Sequence, residues 1–157
     1  MKKENYTLLI NSTNATNRIG SAQRNYQYYI NWNAILPKPE NITQKYLVKF
    51  SFMCLAQVSA TTEVFQLFID FGGSNMFDNS NSKTTFLGFM YPMVNQGAST
   101  TGTNSVYGYY MAKATDNIPV TVEYPNNSLI TVNIANVNTR GAGFGKDYIL
   151  TLEFIPI

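Results

Sequence analysis

The stretch DYILTLEFIPI, residues 147–157, alternates apolar and polar side chains along most of its length. The apolar side chains on one side are Tyr148, Leu150, Leu152 and Phe154. Thr151 and Glu153 fall on the other side. Because successive side chains of a β-strand point to opposite faces of a sheet, this period of two predicts a strand with one buried face.

The same alternation recurs along the whole chain. It is found at residues 5–11, 24–33, 45–59, 64–73, 84–93, 106–114, 118–125 and 128–137. The residues predicted to point inward are Tyr6, Leu8, Ile10, Tyr26, Tyr28, Ile30, Trp32, Tyr46, Val48, Phe50, Phe52, Cys54, Phe65, Leu67, Ile69, Phe71, Val120, Val122, Tyr124, Ile130, Val132 and Ile134. Residues 22–33 also fit a helical period, but their tyrosines, Ile30 and Trp32 favour a strand. The sequence therefore predicts about eight to nine strands and no convincing helix.

The segments between these strands are rich in Asn, Ser, Thr, Gly and Pro, which favour turns. Several, such as residues 11–23 and 94–105, are too long for simple hairpins, so some connections should cross between sheets. Short strands with one core and crossing loops predict an all-β, antiparallel two-sheet sandwich. With no internal repeat in 157 residues, the chain is expected to form a single domain over 1–157.

Charged residues make up only 13% of the chain, and the net charge is +2. The charged share of an average globular protein is about 25%. A neutral, hydrogen-bonding surface suits contact with other proteins, and scattered basic residues argue against nucleic acid as a partner. The start MKKENYTLLIN lacks the apolar stretch of a secretory signal, and no segment is long and apolar enough to span a membrane. We therefore expect a protein made in a cytosol-like compartment.

The sequence contains no histidine and one cysteine, Cys54. Ser-His-Asp catalysis, Cys-His catalysis and structural zinc are therefore excluded. Cys54 lies in the apolar run FSFMCLA, which favours a buried thiol over a reactive one. Glycoside hydrolysis needs only two carboxylates, and strand residues such as Asp70 and Glu153 could supply them. However, alternation places Glu123 and Glu153 on the solvent side, so we expect no enzymatic activity.

Two loops partly match known ligand-binding motifs. TRGAGFGKD, residues 139–147, ends like a phosphate-binding loop, but Arg140 replaces its first glycine and Asp147 follows its lysine. DNSNS, residues 78–82, resembles a calcium loop but holds a single carboxylate. Neither loop predicts a metal or a cofactor, so the expectation is none of either.

Loop residues with apolar side chains are candidates for contact with a partner. GGSNMFD, residues 72–78, presents Met76 and Phe77 between polar neighbours, although both side chains could instead fold over the end of the sandwich. The residues proposed as possible interface positions are Asn75, Met76, Phe77, Met93 and Phe144.

A family resemblance spans nearly the whole chain. The segments that carry it are NSTNATN (11–17), YQYYINW (26–32), YLVKFSF (46–52), FQLFIDFG (65–72), IPVTVEYPNNSLITVNIANV (118–137) and DYILTLEFIPI (147–157). In this pattern the sequence resembles the small single jelly-roll capsid proteins of large double-stranded DNA viruses and their relatives. These are penton and minor capsid components that accompany a double jelly-roll major capsid protein.

The resemblance implies an eight-stranded jelly roll with an extra N-terminal strand. It also implies that the last strand lies inside a sheet and pairs on both sides, so that no apolar edge is exposed. The implied function is assembly into an icosahedral shell. The implied partners are copies of the chain, with a pentamer as one option, and other capsid proteins including a major capsid protein. The implied location is the virion capsid, after synthesis in the host cytoplasm.

The alternative function is carbohydrate binding by a lectin-like or adhesin-like jelly roll. Its stacking platforms would be Trp32 or loop tyrosines such as Tyr107, Tyr109 and Tyr110. Trp32 shares a face with Tyr28 and Ile30, which favours a place in the core over a role as a platform.

Overall fold

A computed structural model describes residues 4–19, 25–37, 44–54, 58–59, 64–71, 86–94, 107–112, 120–137 and 147–157. The strands in these ranges are β1 (Tyr6–Asn11), β2 (Asn17–Ile19), β3 (Asn25–Tyr29), β4 (Lys45–Cys54), β5 (Val58–Ser59), β6 (Phe65–Asp70), β7 (Phe86–Val94), β8 (Tyr107–Ala112), β9 (Val120–Glu123), β10 (Leu129–Asn136) and β11 (Tyr148–Pro156). A single 3-10 turn, Ser12–Asn14, and one short helix, α1 (Trp32–Ile35), complete the described elements. Over the same ranges, no helix has the length and apolar character needed to cross a membrane.

The first sheet is built around β11, which lies within the segment DYILTLEFIPI. β11 pairs antiparallel with β1 on one side and with β4 on the other, as predicted. The far side of β4 is covered by two strands in succession, because β9 pairs with its first half and β8 with its second half. The short strand β5 extends this sheet through its pairing with β8.

The second sheet has the order β2, β3, β10, β6, β7, and its strands are also antiparallel. A β-bulge interrupts the pairing of β6 with β7, where Phe68 pairs with Phe86 but Leu67 pairs with Gly88. Gly88 has a φ of 150°, which a residue without a Cβ adopts readily. Beyond the bulge, the second half of β7 leaves the second sheet and pairs with β8 of the first.

The strand pairing defines the topology. The first long strand pairs with the last (β1 with β11), the next pairs with the one before last (β3 with β10), β4 pairs with β8 and β9, and β6 pairs with β7. If the short strands β2 and β5 are set aside, and β8 and β9 are counted as one position beside β4, each sheet has four antiparallel strands. This nested order is that of a jelly roll, which confirms the predicted fold class. The jelly-roll resemblance implied that the ninth strand is an extra strand at the N-terminus, and this was wrong. The ninth strand arises because segments 106–114 and 118–125 form two strands, β8 and β9, that pair with the same side of β4.

The core lies between the two sheets and is formed by the alternating residues. In β4, β6, β9 and β11 the inward positions are buried and the positions between them are half-buried or exposed. Of the residues predicted to point inward, Tyr6, Leu8, Ile30 and Tyr124 are partly buried and pack against the core, and the others are buried in it. Cys54 is buried, as expected of a thiol acting as a small apolar side chain.

Two predicted segments differ in extent from the structure. The strand predicted over 24–33 ends at Tyr29, and Trp32 begins α1 instead. The strand predicted over 45–59 is two strands, β4 and β5, which pair with different parts of β8. Trp32 remains buried, as predicted, because the helical turn brings its indole back onto the core and buries Leu36 as well. Local alternation therefore predicted the buried side chains correctly, but it did not predict where each strand ends.

Two sets of polar groups in the core form hydrogen bonds between strands that are distant in sequence. The hydroxyls of Tyr28 and Tyr148 lie 2.9 Å apart and connect β3 of the second sheet to β11 of the first. Ser12, which is fully buried, donates from its Oγ to Asp147 Oδ1 and accepts from the backbone N–H of Tyr148, each at 2.9 Å. A buried polar group costs free energy unless it is paired, so these bonds fix how β1, β3 and β11 meet.

Candidate functional site

The interface residues proposed from the sequence fall mostly outside the described ranges. Asn75, Met76, Phe77 and Phe144 all lie there. Met93 lies in β7, where its backbone pairs with Tyr109 of β8. The tyrosines considered as loop platforms, Tyr107, Tyr109 and Tyr110, lie on β8, so the loop assignment was wrong.

A groove opens at one end of the sandwich, between the segment that follows β3 and the segment that joins β9 to β10. The backbone N–H of Ile30 donates to the carbonyl of Ser128 at 2.7 Å and ties the two segments together. The volume of the groove is about 570 Å³. The residues that line it are Tyr29, Ile30, Asn31, Trp32, Asn33, Tyr124, Pro125, Asn126 and Ser128.

The floor of the groove is held by Trp32. Its indole N–H donates to the carbonyl of Asn127 at 2.7 Å. Its ring packs edge-on against Phe71 and Phe154, with ring centroids 6.0 and 5.7 Å away. Phe71 follows the last residue of β6 and Phe154 lies on β11, so residues from both sheets support the floor. Such a floor is rigid, because well-packed aromatic rings with a paired N–H have little room to move.

The rim of the groove combines an exposed aromatic ring with polar side chains. Tyr29 is 68% exposed, the largest exposed fraction among the large hydrophobic side chains of the described residues. The hydroxyl of Tyr124 donates to Asn33 Oδ1 at 2.8 Å and orients that amide. Asn31 occupies the N-cap position of α1 but makes no side-chain capping hydrogen bond, although asparagine is one of the preferred capping residues. Among the described residues, the Asn31 amide and the Nδ2 group of Asn33 therefore have no hydrogen-bond partner.

The outward side of the first sheet carries apolar residues. Leu9 and Met53 are 64% and 43% exposed. In the register of the sheet, Ile149 lies directly opposite Met53 and diagonally from Leu9, so the three side chains adjoin. We call these three residues the outer patch. Further along the same face, Glu153 of β11 pairs in register with Thr7 of β1 and with Lys49 of β4. The face ends where Ile155 of β11 pairs with Leu47 of β4.

The outward side of the second sheet carries a cluster of phenylalanines. Phe86 lies 5.3 Å from Phe68 and 5.1 Å from Phe89, measured between ring centroids, and all three are half-buried. Asn133 is the register partner of Phe68, and its Oδ1 is buried with no hydrogen-bond partner among the described residues. Apolar side chains therefore lie on the outward faces of both sheets.

The acidic residues considered for carboxylate chemistry are not among the described residues that line the groove. Asp70 ends β6 of the second sheet, whereas Glu123 and Glu153 lie on the outward side of the first sheet, as predicted. Asn5 donates from Nδ2 to Glu153 Oε1 at 2.9 Å. Within the described ranges no three His, Cys, Asp or Glu side chains form a group that could hold a metal ion.

One tyrosine beneath this end of the sandwich has a shifted pKa. Burial, together with the neighbouring Tyr124 and Tyr6, raises the pKa of the Tyr46 hydroxyl above its ordinary value of 10.0. Tyr46 is buried against Phe154, with ring centroids 6.2 Å apart, so its neutral form is the one that the fold favours.

Comparison with protein-family models, with curated proteins and with solved structures finds no match to this chain.

Proposed function

We propose that this protein is a structural component of a virus capsid, a penton or minor capsid protein that works by binding neighbouring subunits. Its partners in this proposal are copies of itself and other capsid proteins, including a major capsid protein, and its location is the virion. The observation that carries the proposal is a single jelly roll whose outward sheet face carries the outer patch, in which Leu9 and Met53 are exposed and Ile149 is half-buried. Single jelly rolls are a recurrent capsid architecture.

The chemistry of this face suits a packed interface. The cores of protein interfaces are enriched in apolar side chains and methionine and depleted of charge. The outer patch contains no charged residue, and Thr151 and Ser51 extend it in the register of the sheet. Contacts of this kind depend on apolar burial and neutral hydrogen bonds, so we expect assembly to change little with salt concentration.

Substitution at the patch tests the proposal. Burying a leucine contributes about 1.5–3 kcal/mol, so Leu9→Lys should weaken association about tenfold or more. Because Leu9 is mostly exposed, the substitution should leave folding intact. The matched control is Leu129→Lys, which changes an exposed leucine on the second sheet.

Two measurements read out the result. Light scattering after gel filtration gives the oligomeric state of the full chain, with and without co-expressed capsid proteins. Mass spectrometry of purified particles gives the copy number in a shell. A chain that stays monomeric at high concentration and engages no capsid partner would refute the proposal.

A further inference from the structure

We propose that the groove between Tyr29 and Tyr124 binds a neutral saccharide, with Tyr29 as the stacking platform. This inference does not depend on the assembly function, because it concerns a concave site at the end of the sandwich rather than the outward faces of the sheets.

The charge of the groove limits its ligand. Among the described residues, the nine that line the groove include no Asp, Glu, Lys or Arg. An anionic or cationic ligand would therefore find no charged partner there and would lose its hydration without compensation. A neutral ligand with many hydroxyl groups loses less hydration free energy on binding, because the amide and hydroxyl groups of the rim replace the water that it gives up.

Tyr29 provides the apolar contact. It ends β3 with its ring directed away from the core, and 68% of its surface is exposed. An exposed aromatic ring has a large area and loses little conformational entropy on binding, since it rotates about only two side-chain torsions. The C–H face of a pyranose ring is flat and apolar, so it can cover the tyrosine ring while its hydroxyls reach the polar rim.

The rim supplies donors and acceptors for those hydroxyls. Because Asn33 Oδ1 accepts from Tyr124, the Nδ2 group of Asn33 remains as a donor, and no described residue accepts from it. The amides of Asn31 and Asn126 and the hydroxyl of Ser128 belong to the same lining. Amide and hydroxyl groups both donate and accept, which matches the mixed hydrogen bonding of a sugar hydroxyl.

The site is formed before any ligand arrives. The hydrogen bonds from Ile30 to Ser128 and from Trp32 to Asn127 hold its two segments together. The volume of about 570 Å³ lies within the range of about 300–1,000 Å³ that is typical of small-molecule sites. A preformed site spends little binding free energy on ordering its own loops.

Trp32 makes the test direct, because it is the only tryptophan in the chain and it lines the groove. The full-length protein would be titrated with lactose, maltose, cellobiose and chitobiose at up to millimolar concentration. Intrinsic fluorescence and the single indole N–H resonance would be followed. At least one of these disaccharides should shift both signals with saturation, and sialylated lactose should bind no more tightly than lactose.

Variants separate stacking from a nonspecific effect. Tyr29→Ala should weaken binding of the same disaccharide about tenfold, whereas Tyr29→Phe, which keeps the ring, should change it less than threefold. Asn33→Ala should weaken it by a similar factor to Tyr29→Ala. Ile157→Ala changes an exposed residue that neither lines the groove nor belongs to the outer patch, so this control variant should bind as the wild type does.

Three results would overturn the proposal: no saturable response to any of the disaccharides, equal binding by the Tyr29→Ala variant, or binding restricted to charged glycans. Each of these binding measurements is independent of oligomeric state. A negative result would therefore refute saccharide binding without refuting the assembly proposal.

Discussion

Phe154 is the residue on which the two sheets and the groove converge. It is fully buried on β11, and its ring lies 5.7 Å from that of Trp32, 5.8 Å from that of Phe71 and 6.2 Å from that of Tyr46. Phe154→Ala removes all three ring contacts and leaves a cavity at the centre of this cluster. We expect it to destabilise the protein more than any change at the neighbouring outward position, Ile155.

The expected loss of unfolding free energy in the Phe154 variants follows from the burial of this side chain and from its ring contacts. Truncation of a fully buried phenylalanine to alanine costs about 3–5 kcal/mol in unfolding free energy. Phe154→Leu keeps most of the apolar surface but loses three edge-to-face contacts, each worth about 0.5–1.5 kcal/mol, so a net cost of about 2 kcal/mol is expected. Ile155 is half-buried and points outward, and Ile155→Ala should cost at most about 1 kcal/mol.

Urea unfolding, followed by circular dichroism and by Trp32 fluorescence, measures these costs. With a slope of about 2 kcal/mol per molar urea, Phe154→Ala should lower the midpoint by about 2 M and Phe154→Leu by about 1 M. The slope itself should not change. If Ile155→Ala cost as much as Phe154→Ala, the strand would present its other face to the core, and both the alternation and the register would be refuted.

Three further predictions concern buried hydroxyls. Tyr28→Phe and Tyr148→Phe should each cost about 1–2 kcal/mol, and the double variant should cost less than their sum by about 1 kcal/mol, as measured in a denaturation cycle. Ser12→Ala deprives the Asp147 carboxylate of a donor and the Tyr148 N–H of an acceptor, so a loss of about 2–3 kcal/mol in the same assay is expected. For Tyr46, whose folded pKa is raised, the unfolded chain releases its proton first, so stability present below pH 10.0 should fall as pH rises above it. In Tyr46→Phe this contribution to the loss of unfolding free energy at alkaline pH should vanish. If the unfolding free energy of the wild type did not fall above pH 10.0, the raised pKa of Tyr46 would be contradicted.

The buried faces of the strands were predictable because burial and alternation have the same cause. A strand at the surface of a single core must place every second side chain inside, and the pleat enforces this regardless of which strand is its neighbour. Glu153 and Phe154 are adjacent in sequence, yet one lies on the outward face and the other has no exposed surface. The pattern of polarity alone assigned both correctly.

The partners of each strand were not predictable from alternation. β1 and β11 pair across almost the full length of the chain, and nothing local in either segment identifies the other. Pairing depends on how the loops cross between the sheets, and that is a property of the whole topology. The resemblance to jelly-roll proteins predicted the central position of β11, which composition and periodicity had left open.

The sequence pointed to one residue of the groove, Trp32, but not to its exposed aromatic ring. Trp32 and the β8 tyrosines were considered, whereas the exposed ring belongs to Tyr29. One signal was present in the sequence: in YQYY, residues 26–29, the period of two places Tyr29 on the same side as Gln27, facing away from the core. A large aromatic side chain on the polar side of a strand is a candidate for contact with a ligand or partner.

The rigidity of the groove comes from the core rather than from the segments that line it. Loops at the end of a sandwich are ordinarily the most mobile part of the fold. Here Trp32 connects the loop to Phe71 beside the second sheet and to Phe154 in the first, so movement of the groove floor would require repacking of the core. The nested strand order brings these three rings together from distant parts of the sequence. Any ligand that the groove accepts therefore meets a surface whose shape the jelly roll has already fixed.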